Sequence, residues 1–364
     1  LEIVAMKKSL VALAVLGAFS GMAAAQSSVT VFGIVDVAAR YIKNDGNGSI
    51  KGLSADQQAS SRLGFRGVED LGGGLKAGFW LESALSPDTG DAGSTVSGSN
   101  RFWGRRSTVS LMGNFGEIRL GRDFTPTFNS YSDYAAFGTN GSGSADVFGN
   151  DVLGSTTLTT TRADNQVSYI TPNTLGGLYG QVSVAAGEGV SGNKYAGGRL
   201  GYAAGPLNVS VGYGQTEVTP LAGDDSFQRF TVGASYDFGV VKLMGYFIRS
   251  EWADFESNIY EIGASVPVGP GIIRAAYQAI DKKGVVGATN LNNKDANHIS
   301  LGYIHNLSKR TSVYTTVARF DNKNDTAGAN AGPNFSVATK NGPALTASNG
   351  RTSTGFELGI RHNF

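Results

Sequence analysis

Cysteine is absent from all 364 residues, so no disulfide braces this chain and no thiolate can hold a metal. Histidine is nearly absent, with three copies, and these do not cluster: His298 and His305 fall on opposite faces of one extended segment and His362 sits at the terminus. Neither a His-Glu-x-x-His run nor a Gly-x-Ser-x-Gly elbow occurs, so no enzyme, no cofactor and no metal are expected. Net charge is also lacking, with 30 Lys and Arg against 29 Asp and Glu. Such a balance leaves no electrostatic footprint for nucleic acid, and whatever charge does here must follow from its local arrangement. Long apolar runs are missing beyond the first 25 residues, where nothing approaches the roughly 18 residues of a spanning helix. If this chain crosses a membrane, it does so with strands.

Glycine is what the chain has in excess: 52 residues, about twice the usual share of roughly 7%. A collagen period of three is absent, and 41% hydrophobic content is too high for disorder. At the start, Lys7 and Lys8 precede an apolar run from Leu10 to Phe19 and the triplet Ala23, Ala24, Ala25. That is the pattern of a secretory signal peptide, with residues 1–25 removed and 26–364 forming one barrel. Leu1 to Ala5 precede a plausible initiator, Met6, and read as an over-extended start. Removal takes away two lysines and Glu2, leaving 28 basic and 28 acidic residues and a net charge of zero.

From Gln26 to Phe364 one unit recurs: about ten residues alternating apolar with polar or glycine, then a connection. Leu207, Val209, Val211 and Tyr213 alternate with Asn208, Ser210, Gly212 and Gly214, and Ile299, Leu301 and Tyr303 with His298, Ser300 and Gly302. Short connections such as Gly113-Asn114-Phe115-Gly116 and Ala204-Gly205-Pro206 trade places with long polar stretches at residues 43–57, 86–104, 123–162, 281–296 and 321–352. Short on one side and long on the other is the wiring of an outer-membrane barrel, and about sixteen strands fit the length. Gly72-Gly73-Gly74 and Gly176-Gly177 join strand to strand with no helix following, so they are turns and not phosphate cradles. Asn-x-Ser triplets such as Asn47-Gly48-Ser49 carry no meaning in such a strand.

The chain ends on an aromatic residue, Phe364, after Phe356, Leu358 and Ile360 on one face and Glu357 and Arg361 on the other. With it go Ser61-Arg62-Leu63-Gly64-Phe65-Arg66-Gly67, Glu69-Asp70-Leu71-Gly72-Gly73-Gly74-Leu75-Lys76-Ala77-Gly78 and Phe115-Gly116-Glu117-Ile118-Arg119-Leu120-Gly121-Arg122. On these stretches, spread over the whole mature chain, the sequence resembles the Gram-negative general (non-specific) porins, and in particular their anion-preferring branch. The resemblance implies an all-β fold, a 16-stranded antiparallel transmembrane barrel with short periplasmic turns, long extracellular loops and an inward-folded third loop. It further implies a homotrimer in the outer membrane, contact with lipid and lipopolysaccharide, and a terminal Phe364 read by the barrel-assembly machinery. The implied activity is passive diffusion of small hydrophilic solutes, with a moderate anion preference. A substrate-specific channel is the nearest alternative, but the inward aromatics Phe32, Trp80, Tyr179 and Tyr246 are scattered and form no row. A surface adhesin or structural barrel is a second.

Residues on inward parity or matching family positions are expected to line the constriction: Arg62, Arg66, Arg106, Arg122, Asp123, Asp133, Glu82 and Asp36. Arginine suits the task because it stays charged and presents a rigid fork of donors to a passing anion. Inward parity also includes Lys76, Arg119, Arg199, Arg229, Lys242, Arg274, Arg319 and Arg361, against only Glu117, Glu261 and Glu357 among further acids. Arg105, Arg122 and Arg249 fall on outward parity near strand ends, where a charge costs only about 0 to 1 kcal/mol. The third-loop segment carries Asp123, Asp133, Asp146 and Asp151 and no Lys or Arg before Arg162. The resemblance implies an arginine on this loop in strongly anion-preferring members, and none occurs here before Arg162, so a preference and not strict selectivity is expected.

Overall fold

The computed structural model describes residues 28–96, 99–292, 294–324, 333–337 and 347–364. The expected signal peptide, residues 1–25, lies outside the described residues. Sixteen strands form one antiparallel sheet closed on itself: β1 (Ser28–Asn44), β2 in two pieces (Gly48–Ala55 and Arg62–Gly72), β3 (Leu75–Ser86), β4 (Arg106–Gly113), β5 (Gly116–Phe124), β6 (Arg162–Ile170), β7 (Leu178–Ala185) and β8 (Tyr195–Ala204). The second half comprises β9 (Leu207–Leu221), β10 (Asp224–Asp237), β11 (Lys242–Trp252), β12 (Phe255–Val268), β13 (Gly271–Lys283), β14 (Ala296–Asn306), β15 (Thr311–Asn322) and β16 (Thr352–Asn363). Each strand pairs with its sequence neighbour, and β16 pairs with β1 from Ile34 opposite Asn363 to Asn44 opposite Ser353. Closure leaves no edge, which is the condition for a sheet to sit in lipid, where water cannot satisfy a free N–H or C=O.

The alternation read from sequence sets the two faces. In β9, Val211 and Tyr213 are exposed to the outside while Ser210, Gly212 and Gly214 are buried inside. Phe364 continues the last strand, exchanging two 3.0 Å backbone hydrogen bonds with Gly33, and its ring lies in the outward space that a Cβ on Gly33 would occupy.

Three connections depart from expectation. Residues 43–57 are no loop: β1 and the first piece of β2 run as a hairpin through a turn at Asp45, Gly46 and Asn47. The break in β2 falls at residues 56–61, where Asp36 Oδ2 accepts the amides of Gln58 (2.8 Å) and Ala59 (2.7 Å), so the backbone leaves the ladder without losing its partners. Two extracellular connections are tight turns, at Ala222-Gly223 and Ala253-Asp254, with Ala222 (φ 53°) and Ala253 (φ 51°) in the left-handed region.

The interior is filled in part by the third loop, residues 125–161, which carries helices α1 (Pro126–Ser132) and α2 (Asp146–Gly149). Thr125 caps α1 through the Phe128 amide and Pro126 opens it. Glycine lets the loop approach the wall: a Cβ on Gly212 would meet Ser130, and one on Gly233 would meet Tyr134. Phe128, Tyr131 and Phe148 pack there with Tyr246, Ile248 and Ile259 of the wall.

Candidate channel constriction

The third loop runs around the inner wall. It leaves β5, lays α1 against β7 to β11, then crosses to β12, where the Ala136 amide donates to Glu261 Oε1 at 2.7 Å. Its tip reaches the closing seam: Glu357 Oε1 accepts the Ser142 amide (2.9 Å) and hydroxyl, and Arg40 Nη2 donates to Ser142 Oγ (3.2 Å). Arg40 Nε stands 3.1 Å from Glu357 Oε1, an ion pair by distance whose N–H is not aligned as a hydrogen bond. The return leg is held by Arg229, donating to Gly149 O (2.8 Å) and Asp151 O (2.6 Å), and by the Lys282–Asp151 pair. Tyr131 donates to Asp146 Oδ1 at 3.2 Å, and burial first, then the Asp146 carboxylate, pushes its phenol well above the ordinary range.

The contacts of α1 are with β7 to β11, and on the wall formed by β2 to β5 the arginines gather. Glu82 accepts from Arg62 (3.3 Å), Arg105 (2.6 Å) and the indole of Trp80 (3.2 Å). Asp123 pairs with Arg119 (2.7 Å) and Arg106 (3.4 Å). Arg66 is exposed and makes no hydrogen bond or ion pair among the described residues; it lies over Phe32 and Trp80. Across the lumen Asp133, half-exposed at the end of α1, pairs with Arg199 of β8 at 2.7 Å. The structure thus brings Arg62, Arg66, Arg106, Glu82 and Asp123 together on one wall and sets Asp133 on the loop.

Two expected members do not join them. Asp36 is fully buried, its carboxylate taken by the amides of residues 58 and 59 and by the Tyr314 hydroxyl, so it shapes the break in β2 and cannot touch a solute. Arg122 stands opposite Ser107 on the outward face that carries Val109 and Leu120, held by Asp164 (2.7 Å) and Gly104 O (2.7 Å) at the rim. Arg319 is likewise outward, opposite Ile299, because Phe320 takes the inner face and stacks on His298 at 3.9 Å. Arg105 corrects in the other direction: parity turned it outward, yet it precedes β4, where alternation no longer binds, and it bends inward to Glu82. Arg162 rests on the Phe124 ring at 4.1 Å and donates to Arg105 O at 2.7 Å.

A closed sixteen-stranded barrel with an apolar exterior and an arginine-lined passage beside an inserted loop defines a transmembrane diffusion channel. Comparison with known proteins agrees. The model of the Gram-negative porin family matches residues 12–325. Outer membrane porin protein 32 of Delftia acidovorans is 44% identical over 99% of this chain and all of its own length. An outer membrane porin protein of Bordetella pertussis is 31% identical over 85% of this chain and 93% of its own. Among solved structures, an anion-selective porin from Comamonas acidovorans superposes with a TM-score of 0.79 at 38% identity, covering 93% of this chain and all of that one. The chain belongs to the Gram-negative porin family, and it is an outer-membrane channel protein.

Proposed function

We propose that this porin passes small hydrophilic solutes by diffusion with a moderate preference for anions, and that its constriction lies between the third loop and the wall carrying Arg62, Arg66 and Arg106. The observation that carries the reading is the fate of the acids. Asp133 and Asp151 of the loop and Asp123 at the end of β5 are each paired with a lysine or arginine, and Glu82 serves two arginines at once, whereas Arg66 has no ion-pair partner among the described residues. Within a Debye length of about 8 Å, a permeating ion feels this wall more strongly than acids on outer loops. The anion-selective relative from Comamonas acidovorans supports the same sign. Cations are not shut out, because Glu82 and Asp123 remain in the ring of charges, and no lysine or arginine occurs on the loop between Asp123 and Arg162.

Replacing Arg62 and Arg106 together by Glu tests the assignment: the reversal potential in a potassium chloride gradient should move toward cation selectivity. An unchanged potential would remove these arginines from the constriction. The same reading makes the protein a trimer that contacts lipid and lipopolysaccharide, exported by a signal peptide cleaved after Ala25 and inserted by the barrel-assembly machinery through Phe364.

A further inference from the structure

Trp80 and Phe32 are anomalous on the inner wall, where their neighbours are Thr30, Gly64, Thr108 and Ser110. Register puts Trp80 directly opposite Arg66 on one side and Thr108 on the other, one inward step toward the periplasmic turns from Glu82 and Arg106. The two rings meet edge to face at 5.1 Å, with the Phe32 ring in the space that Gly64 leaves open. Arg66 lies 5.3 Å from the Phe32 centroid and 5.2 Å from that of Trp80, and Arg106 lies 4.5 Å from Trp80 on the neighbouring strand. The Trp80 indole N–H is spent on Glu82, which fixes the ring. An aromatic ring can hold a guanidinium without neutralising it, since the attraction comes from the ring quadrupole and not from a counter-charge. Arg66 is therefore positioned, without a hydrogen-bond partner among the described residues, beside half-buried ring carbon that a simple ion would not use.

We propose that Arg66, Phe32 and Trp80 form a binding subsite, on the periplasmic side of the constriction, for planar aromatic carboxylates. The carboxylate takes the Arg66 fork, and the flat ring covers the exposed carbon of Phe32 and Trp80. The inference rests on the channel reading above. Planarity is the selective feature: a flat ring can stack on a guanidinium or meet an aromatic edge, whereas a puckered ring of equal bulk does neither well.

The test is block of the chloride current through the whole protein in a planar bilayer, with benzoate and cyclohexanecarboxylate added in turn on the periplasmic side. Benzoate should half-block at a concentration about threefold to tenfold below cyclohexanecarboxylate. Arg66→Gln should weaken both blockers. Phe32→Leu with Trp80→Leu should abolish the difference between them while chloride still flows, and Phe32→Leu alone, which leaves the Trp80–Glu82 bond in place, should reduce it. Equal block by the two acids in the native channel, or a benzoate advantage that survives the double replacement, overturns the subsite. Chloride current in those same records separates this failure from failure of the channel reading, which would show as no current at all.

Discussion

Replacing Glu357 by Ala should free the tip of the third loop from the closing seam. Arg40 and Glu357 stand opposite each other across the β1–β16 pair, and both side chains are 1% exposed. Removing one partner of so buried a pair strands the other charge, at a cost of about 3 to 5 kcal/mol. Glu357 also accepts both the amide and the hydroxyl of Ser142, so much of that cost falls on the docked loop and not on the backbone ladder, which Ala maintains. A penalty of that size shifts the docked-to-free ratio of the tip by roughly two to three and a half orders of magnitude. Hydrogen exchange in detergent or nanodiscs reads it directly: the amides of Ser142, Ser144 and Ala145 should lose protection while those of β15 and β16 keep theirs. A double replacement, Arg40→Met with Glu357→Leu, removes both charges and should recover part of the protection, because an apolar pair of similar volume is often no worse than a buried ion pair. Native protection in Glu357→Ala, or a double variant as open as the single one, would refute the tether.

Deleting Phe364 removes its ring from the space over Gly33 and two seam hydrogen bonds, each worth about 0.5 to 1.5 kcal/mol net, and should lower the amount of protein in the outer membrane. Equal surface levels of the truncated and native chains would count against that. Arg122→Ala should leave the reversal potential where it was, since the side chain belongs to the outer rim with Asp164, and a shift toward cations would return it to the lumen. The native protein should run as a heat-modifiable trimer on gels, collapsing to monomer on boiling; a single monomeric band before heating speaks against the assembly.

The barrel was legible in the sequence because a period of two leaves a mark in every strand, and sixteen weak marks add up. Arg62, Arg66 and Arg106 were legible for the same reason, being charges on the inward parity of strands with apolar outward neighbours. Alternation says nothing where a strand stops. Arg105 was turned the wrong way because it lies before β4, and Arg319 because its neighbour Phe320 claimed the inside to stack on His298. Inward parity also cannot tell a residue that faces water from one that is covered. Asp36 and Arg229 both point inward, yet the break in β2 buries the first and the third loop buries the second. The route of that loop depends on contacts across more than a hundred residues, such as Ser142 with Glu357, and no local pattern announces them.

The most direct test of the central claim is the reversal potential of the purified native protein in a planar bilayer under a steep potassium chloride gradient. A loop whose Asp133 and Asp151 are paired, facing a wall whose Arg66 has no ion-pair partner among the described residues, predicts a sign that favours chloride over potassium, short of the ideal anion limit. A potential of the opposite sign, reporting a cation-selective pore, would contradict the account.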